Sequence, residues 1–248
     1  MRVHLFEFGD LSWFPRPLHN AMTSYLAVTY GLIPAPAHWA KIIAESLDEQ
    51  GIDNIVDLCS GAGGPIPILQ RELAQLGHSN TRINQTDLHA REGVEPLDAL
   101  SVPHSLTGLR TMFAAFHHFQ PPQAKTILRQ AAESGQPICI FEATSRTPLA
   151  IVSTLFIPLF VLLLTPRVRP LTFTQLLFTY LIPILPFVIA WDGFVSNCRT
   201  YTSAEMLAIT REINADSYRW QALDLTIPGV PFPLPALIGR PQKKSAAA

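Results

Sequence analysis

The residues best suited to ligand chemistry lie in a glycine-rich turn near position 60. The chain reads IVDLCSGAGG from Ile55 to Gly64, which places Gly61, Gly63 and Gly64 within four positions. Glycine lets the backbone approach a ligand closely, and a helix beginning after the turn offers free N–H groups. Asp87 follows roughly 25 residues later, a spacing suited to a carboxylate that grips two ribose hydroxyls. The pattern predicts a site for a nucleotide-like ligand.

Two familiar nucleotide motifs fit this turn poorly. A P-loop needs Gly-Lys followed by Ser or Thr, which the turn lacks, so ATP hydrolysis is disfavoured. The dinucleotide fingerprint GxGxxG matches at Gly61 and Gly63, but Ile66 stands where the third glycine belongs. A nicotinamide-dependent oxidoreductase is therefore a weaker alternative.

Adjacent histidines, His117 and His118, end the segment LRTMFAAFHHF, which we predict as a strand. Either imidazole could serve as a general base for a hydroxyl or amine acceptor. Successive side chains of a strand point to opposite faces, so we expect at most one to face the substrate easily. Glu142, at the end of a later strand, could hold a substrate or pair with Arg146.

A second polar group follows a long apolar stretch. Asp192, Arg199 and Tyr201 could form a salt bridge beside a surface tyrosine, or could mark the return of the chain to a binding cleft. Near the N-terminus, Trp13 belongs to an aromatic segment that could be ordinary core or a lid over the site. We include Asp192, Arg199, Tyr201, Glu142 and Trp13 as candidate substrate-binding residues.

Alternating strand and helix patterns surround these residues. Buried strands are predicted at NIVDLC, RINQTDLH, LRTMFAAFHHF and PICIFEA, with LDALSV as a further short one. Helices are predicted at PIPILQRELAQLG and PPQAKTILRQAAESG, and two precede them in RPLHNAMTSYLAVTYGLIP and AHWAKIIAESLDEQG. TSAEMLAITREINADS begins with a capping box and predicts a closing helix, followed by a strand pair in YRWQALDLT and PALIGR.

This order predicts an α/β fold with a doubly wound, mostly parallel seven-stranded sheet and right-handed crossovers. We expect one domain over 1–248, in which 1–50 form an N-terminal helical lid and 51–146 a cofactor-binding core. Residues 147–197 would be an apolar helical insertion after the fifth strand, and 198–248 the closing helix and strand pair. The final KKSAAA reads as a frayed tail.

With these motifs in order, the sequence resembles the class I S-adenosylmethionine-dependent methyltransferases. DLCSGAGG is similar to their first motif, an acidic residue followed by Gly-x-Gly, and LDAL is similar to their third. FAAFHHF resembles their fourth strand, and AWDGFVSNCRTYTSAEM resembles a bacterial branch with an apolar insertion. The resemblance implies S-adenosylmethionine as cofactor and S-adenosylhomocysteine as product.

The resemblance also implies roles for individual residues. Gly61 and Gly63 would pack on the methionine moiety, Asp57 would organise the loop, and Asp87 would bind the ribose. Asp98 would meet the adenine amino group, and Ala99 would donate a backbone N–H to the ring. The full cofactor-binding set predicted here is Asp57, Ser60, Gly61, Gly63, Asp87, Leu88, Asp98 and Ala99.

The composition limits the partners and the cellular location that we expect for the chain. The 248-residue chain is 48% hydrophobic and 15% charged with a net charge of −1, so it carries no nucleic-acid footprint. Its three cysteines are far apart and show no metal-ligand spacing, so we expect reduced thiols, a cytoplasmic location and no metal. Glu7 and Asp10 interrupt the apolar core that a signal peptide would need.

The apolar insertion allows several readings. Residues 147–166 and 170–191 carry no charge, and each stretch is long enough to cross a bilayer as a helix. Prolines interrupt both stretches, and a hairpin would place the RVR turn outside, against the positive-inside tendency. We favour a helical cap over the site or a shallow contact with the inner face of a membrane, over true spanning or a homodimer interface.

The resulting hypothesis is a methyltransferase that acts on a small, largely apolar acceptor by in-line displacement. Catalysis would come mainly from proximity and orientation. A non-catalytic or membrane-adaptor protein on the same fold is the alternative from another class, because fold alone does not fix function.

Overall fold

The computed structural model describes residues 1–89, 92–213 and 217–242. Within them, a single sheet has the strand order β3-β2-β1-β4-β5-β7-β6. Its strands are β1 (Asn54–Asp57), β2 (Arg82–Asp87), β3 (Glu95–Pro96), β4 (Leu109–Phe113), β5 (Ile138–Phe141), β6 (Tyr218–Leu225) and β7 (Leu234–Pro241). Neighbours pair in parallel except at β7, which runs antiparallel to β5 and β6. The predicted doubly wound seven-stranded fold is confirmed.

Helices cover both faces of the sheet and form a separate layer above one edge. They are α1 (Arg16–Leu32), α2 (Ala35–Gln50), α3 (Ile66–Gln75), α4 (Pro121–Glu133), α5 (Pro148–Ser153), α6 (Ile157–Leu164), α7 (Phe173–Leu176), α8 (Ile184–Arg199) and α9 (Ser203–Arg211). Short 3₁₀ turns occur at Phe8–Asp10, Phe116–His118, Thr154–Phe156 and Thr165–Arg167, and Leu177–Leu181 is a π-helical turn.

Local chemistry explains where helices begin. At α9, the Thr202 hydroxyl accepts the N–H of Glu205, and the Glu205 carboxylate accepts the N–H of Thr202. This reciprocal pair is the capping box that the sequence predicts. A second box at α4 uses Gln120 and Gln123.

Two hydrophobic cores lie on the opposite faces of the sheet. One contains α2 and α3 with side chains such as Trp39, Ile43 and Leu69. The other contains α4 and α9 with side chains such as Leu128 and Met206. Alternate residues of the central strands supply both cores, as expected for parallel strands buried on both faces.

A third core joins the N-terminus to the insertion. Phe14, Met22 and Tyr25 pack with Val161 and Leu185. We call the layer formed by α1 and α5–α8 the helical cap. α8 continues to Arg199, so the cap runs without a break into the closing part of the chain.

Two predicted strands differ from the structure. LDALSV was expected as a strand, but β3 is at Glu95–Pro96 and the chain turns at Asp98, whose carboxylate accepts the N–H of Leu100. The fourth strand ends at Phe113, and Ala114 has a φ of 49°, a left-handed conformation that stops extended pairing.

Parts of two predictions lie outside the described residues. The frayed tail at 243–248 is one of them. The end of the predicted closing helix at 214–216 is the other.

Among the residues that the structure describes, one continuous helical stretch is long and apolar enough to cross a membrane. Pro148–Arg167 has 20 residues and a mean hydropathy of 2.3, and 22% of its most apolar window is buried. Phe173–Leu181 and Ile184–Arg199 pass the same test only together, with a bend of 86° between them.

Candidate functional site

A cavity of about 640 Å³ opens at the carboxyl-terminal edge of the parallel strands. Its floor is formed by the glycine loop after β1 and by the ends of β2 and β4, and its walls by α1 and the insertion. Ligands of open α/β sheets bind at this edge, where the crossovers diverge. This cavity is therefore the candidate ligand-binding site.

The glycine loop holds a sharply turned backbone. Cys59, Gly61, Gly63 and Gly64 all have positive φ values between 39° and 88°. At Gly63, an added Cβ would lie 3.1 Å from the amide oxygen of Gln85. Glycine is thus required both for conformation and for close approach to β2.

Asp57 supports this loop from behind. Its buried carboxylate accepts hydrogen bonds from the Thr111 hydroxyl at 2.7 Å and the Ser60 hydroxyl at 2.5 Å. Burial raises the pKa of Asp57 to about 7. Asp57 and Ser60 therefore shape the loop and do not themselves form part of the cavity wall.

The carboxylate of Asp87 meets the loop at the cavity. One oxygen accepts the N–H of Gly61 at 2.9 Å, and the other accepts the N–H of His89 at 2.8 Å. Gly61, Asp87 and His89 all line the cavity. The structure thus brings together the glycine and the acidic residue that the spacing predicted to cooperate.

Other members of the predicted cofactor set lie away from this point. The side chain of Leu88 is exposed, and Asp98 is an exposed turn residue. Ala99 is buried in the core beside α4. Leu88, Asp98, Ala99 and Gly63 do not line the cavity.

The paired histidines form one wall of the cavity. They lie in the 3₁₀ turn and not on a strand, so the expectation that they point to opposite faces is wrong. Their ring centroids are 4.3 Å apart, and both line the cavity. The turn places successive side chains on one side, which a strand cannot do.

His117 is fixed by Glu142. Its backbone N–H donates to one oxygen of Glu142 and its Nδ1 to the other, both at 2.8 Å. Because a carboxylate accepts, Nδ1 donates to Glu142, and in the neutral imidazole the lone pair then lies on Nε2. That Nε2 is buried and has no hydrogen-bond partner within the described chain.

This contact differs from both sequence-based alternatives for Glu142. The residue is fully buried, does not line the cavity and is placed to orient His117, and its role in holding a substrate stays a prediction. Arg146 instead pairs with Glu205 at 2.6 Å.

Two acidic residues that sequence reasoning missed complete the cluster. The Nδ1 of His118 lies 3.0 Å from Asp10, and the Nε2 atoms of His117 and His118 each lie 3.9 Å from an oxygen of Glu7. Both acidic residues line the cavity. In the sequence they registered only as interruptions of an apolar N-terminal segment.

Arg199 and Tyr201 lie outside the cavity wall and contact the N-terminal segment. The buried guanidinium of Arg199 lies 2.7 Å from Asp10 and 3.2 Å from Glu7, and it also donates to the carbonyl of Leu5. Tyr201 donates to the carbonyl of Phe119, and Arg2 lies 4.2 Å above its ring. Both residues hold the N-terminal segment in place and neither lines the cavity, so their contact with substrate stays a prediction.

Asp192 lines the cavity, but its oxygens are engaged by the same segment. They accept the N–H groups of Phe8 and Gly9 at 2.8 and 3.0 Å. Trp13 is exposed and does not line the cavity, and its contact with substrate stays a prediction. The N-terminal segment nevertheless closes one side of the site, through Glu7, Gly9 and Asp10.

The cluster has some features of a metal centre. Ligand-type atoms of Glu7, His117 and His118 lie within 4.8 Å of one another, and imidazole with carboxylate suits several divalent metals. The guanidinium of Arg199 already occupies the space beside Glu7 and Asp10. This fixed positive charge opposes a cation, so the arrangement favours an ion-pair network around a proton acceptor.

Burial raises the pKa of Glu7 to about 7 from an ordinary value of 4.5, although His118 and Arg199 oppose the shift. The folded state therefore keeps a proton that the unfolded state loses, and wild-type stability falls as pH rises from about 4.5 to about 7. Glu7→Gln cannot ionise. Relative to wild type, it should gain about 2–3 kcal/mol in free energy of unfolding between about pH 5 and about pH 8, measured by urea denaturation.

Glu133→Gln, at the exposed end of α4, provides the control and should follow the wild-type pH dependence. If the difference in unfolding free energy between Glu7→Gln and wild type were the same at about pH 5 and about pH 8, the raised pKa of Glu7 would be contradicted.

Comparison with known proteins establishes the fold. No protein-family model and no curated protein sequence matches the chain. An O-methyltransferase of neocarzinostatin biosynthesis, solved with S-adenosylmethionine and 2-hydroxy-5-methyl naphthoic acid, matches with a TM-score of 0.50 and 13% identity. The match covers 91% of this chain and 58% of that one.

Two further solved structures are less similar. The carbon methyltransferase CurJ matches over 84% of this chain and 54% of its own, with a TM-score of 0.49 and 12% identity. Human N-acetylserotonin methyltransferase, in complex with S-adenosylmethionine, matches over 82% and 52%, with a TM-score of 0.43 and 15% identity. The chain thus spans between half and three fifths of the length of these enzymes. At such identities the first match shows a shared fold.

Proposed function

We propose that this chain, which has the Rossmann-like fold of class I methyltransferases, transfers a methyl group from S-adenosylmethionine to a small, largely apolar acceptor. The observation that most directly supports this proposal is a hydrogen bond. The backbone N–H of Gly61 donates to the carboxylate of Asp87 at 2.9 Å, in the wall of a cavity at the carboxyl edge of the sheet. A carboxylate at the end of the second strand is suited to two ribose hydroxyls. The neighbouring solved methyltransferases that contain this cofactor are consistent with the proposal.

The donor end of the cavity is shaped by backbone. The left-handed residues of the glycine loop expose the chain itself to the ligand, with Asp57 and Ser60 holding the turn from behind. S-adenosylmethionine, when bound, supplies a sulfonium methyl group as the electrophile. The chain's part is to fix the position of that ligand relative to the acceptor, which is the main source of catalysis in such a transfer.

The end of the cavity where the methyl acceptor would bind contains His117, a side chain that can take up a proton. In the neutral imidazole of His117, Glu142 holds the proton on Nδ1 and leaves a lone pair on Nε2, a buried atom 3.9 Å from Glu7. A hydroxyl or amine acceptor would donate its proton to this nitrogen as the new bond to carbon forms. Glu142 then stabilises the resulting imidazolium.

The remaining wall indicates an apolar acceptor. Met22, Tyr25 and Leu26 of α1 line the cavity together with Ile157 and Ile189 of the insertion. Binding cavities of this kind combine apolar walls with a few placed polar groups that orient the ligand.

We further propose a cytoplasmic protein that touches the inner face of a membrane. Cys59, Cys139 and Cys198 are free thiols, which suits a reducing compartment. The insertion exposes many large apolar side chains, a feature that water-soluble monomers rarely tolerate.

Isothermal calorimetry with S-adenosylmethionine and S-adenosylhomocysteine tests the proposed function directly. We expect saturable binding of both compounds at one site per chain. NADH fluorescence titration of the same protein should show no binding. Absence of binding by both adenosyl compounds would refute the methyltransferase proposal.

A further inference from the structure

The insertion has apolar side chains on both of its sides. In the stretch that joins α5 to α6, Ser153, Thr154 and Ile157 line the cavity. The intervening Leu155 and Phe156 point away from it and are exposed. One layer of helix therefore separates the cavity from an outer apolar face.

That outer face is broad. Leu155 and Phe173 are 76% and 77% exposed, and the remaining large side chains include Phe156, Leu159, Leu163 and Leu181. In water, a contiguous apolar patch of this kind marks an interaction surface. We call it the outer apolar face of the insertion.

Positive charge stands beside this face. Arg167 and Arg169 are exposed between α6 and α7, and no other charged residue occurs in 147–191. Within the described chain, no acidic side chain forms an ion pair with either arginine. Apolar side chains bordered by unpaired arginines match the boundary between lipid tails and anionic headgroups.

The structure favours a helix layer lying in the interface over one that crosses the bilayer. Both ends of the insertion join the same domain, so crossing would need two spans. In the described part of the chain, the only second candidate beside Pro148–Arg167 is the pair Phe173–Leu181 and Ile184–Arg199, which is bent by 86°. Its last part carries Asp192 and Arg199, which are buried against the N-terminal segment at the site.

The cavity has a rim on α1. Leu26 of α1 lines the cavity and is 47% exposed, so it lies at this rim. Ser153, Thr154 and Ile157 also line the cavity, and exposed residues of the outer face stand between them in the chain. An amphiphile held against the outer face would be separated from the cavity by that one layer of helix.

We propose that the outer apolar face docks on an anionic lipid bilayer and that the methyl acceptor is an amphiphile taken from that bilayer. Its single hydroxyl or amine would reach His117, and its apolar body would lie between Met22 and Ile157. This inference rests on the proposed methyltransferase function and specifies the class of substrate. The occupant of the face is a membrane, not a second copy of the chain.

Vesicle flotation tests the docking step. The protein should float with vesicles of phosphatidylcholine and phosphatidylglycerol, and less with phosphatidylcholine alone. The double variant Leu155→Ser, Phe173→Ser should bind at least about tenfold more weakly, because two exposed apolar side chains no longer insert. Arg167→Gln should weaken binding to anionic vesicles about fivefold.

Matched controls lie elsewhere on the surface. Leu76→Ser, at the end of α3, and Arg129→Gln, on α4, should bind vesicles like wild type. A stable dimer in sedimentation that the double variant dissolves, without flotation of wild type, would overturn the proposal in favour of a homodimer interface.

Methyl transfer tests the acceptor. Methyl-labelled S-adenosylmethionine is incubated with the protein and with vesicles of a total bacterial lipid extract, and in parallel with the water-soluble extract. Label should enter the organic phase, and the double variant should transfer at least about tenfold less while binding S-adenosylhomocysteine normally. Label confined to water-soluble products overturns the inference and leaves the proposed function intact. Failure of wild type to bind either adenosyl compound refutes the proposed function instead.

Discussion

Replacing Asp87 with alanine is expected to weaken the binding of S-adenosylhomocysteine by about 100-fold. The carboxylate stands at the end of β2 in the cavity wall and would accept two ribose hydroxyls. Hydrogen bonds to a charged group contribute about 1.5 kcal/mol or more each, so the loss of two corresponds to about two orders of magnitude. Calorimetric titration of the variant beside wild type measures the change.

Two further variants separate ribose binding from loop support. Asp87→Asn keeps one oxygen that can accept the N–H of Gly61, so it should preserve thermal stability and lose only part of the affinity. Asp53→Ala removes an exposed carboxylate just before β1 and should bind like wild type. An unchanged affinity in Asp87→Ala would exclude the ribose assignment.

The sheet and the glycine loop could be predicted because their signals are local. Buried strands, helices and capping residues alternate in the chain, and the rules for connections leave only a few doubly wound arrangements for that order. Gly61 and Gly63 have the positive φ that glycine adopts at little cost. Asp87 follows at the spacing that the crossover between parallel strands imposes.

The turn that carries the histidines could not be predicted in the same way. Strand β4 is followed by Ala114 with a φ of 49°, a conformation that the sequence does not mark with glycine. Periodicity therefore extended the predicted strand through His118. The same error led to the expectation that His117 and His118 face apart.

The acidic part of the cluster depends on contacts between distant parts of the chain. Arg199 donates a hydrogen bond to Asp10, which is 189 positions away in the sequence. The sequence around either residue contains no pattern that predicts this pair. Arg199 was predicted as a substrate contact because it is polar and follows an apolar stretch. Its actual position follows from the docking of the N-terminal segment on α8, a tertiary effect.

Replacing His117 with asparagine is expected to lower the rate of methyl transfer by about 100- to 10,000-fold, the usual range for loss of a general base. Affinity for S-adenosylhomocysteine should stay within about twofold of wild type, because His117 stands at the acceptor end of the cavity. The initial rate of label transfer from methyl-labelled S-adenosylmethionine gives the first quantity, and calorimetry gives the second. His104→Asn, in an exposed loop, is the matched control and should transfer at the wild-type rate.

Glu142→Gln tests whether Glu142 sets the tautomer of the His117 imidazole. The amide group can donate to Nδ1, which would move the imidazole proton to Nε2 and remove the lone pair from that nitrogen. We expect about a 100-fold slower transfer, with nitrogen NMR showing the proton on Nδ1 in wild type and on Nε2 in the variant. A folded variant with the wild-type tautomer and the wild-type rate would show that Glu142 is merely a buried partner. A slow rate without a change of tautomer would assign its effect to stabilising the imidazolium, because the carboxylate's negative charge is then the only property lost.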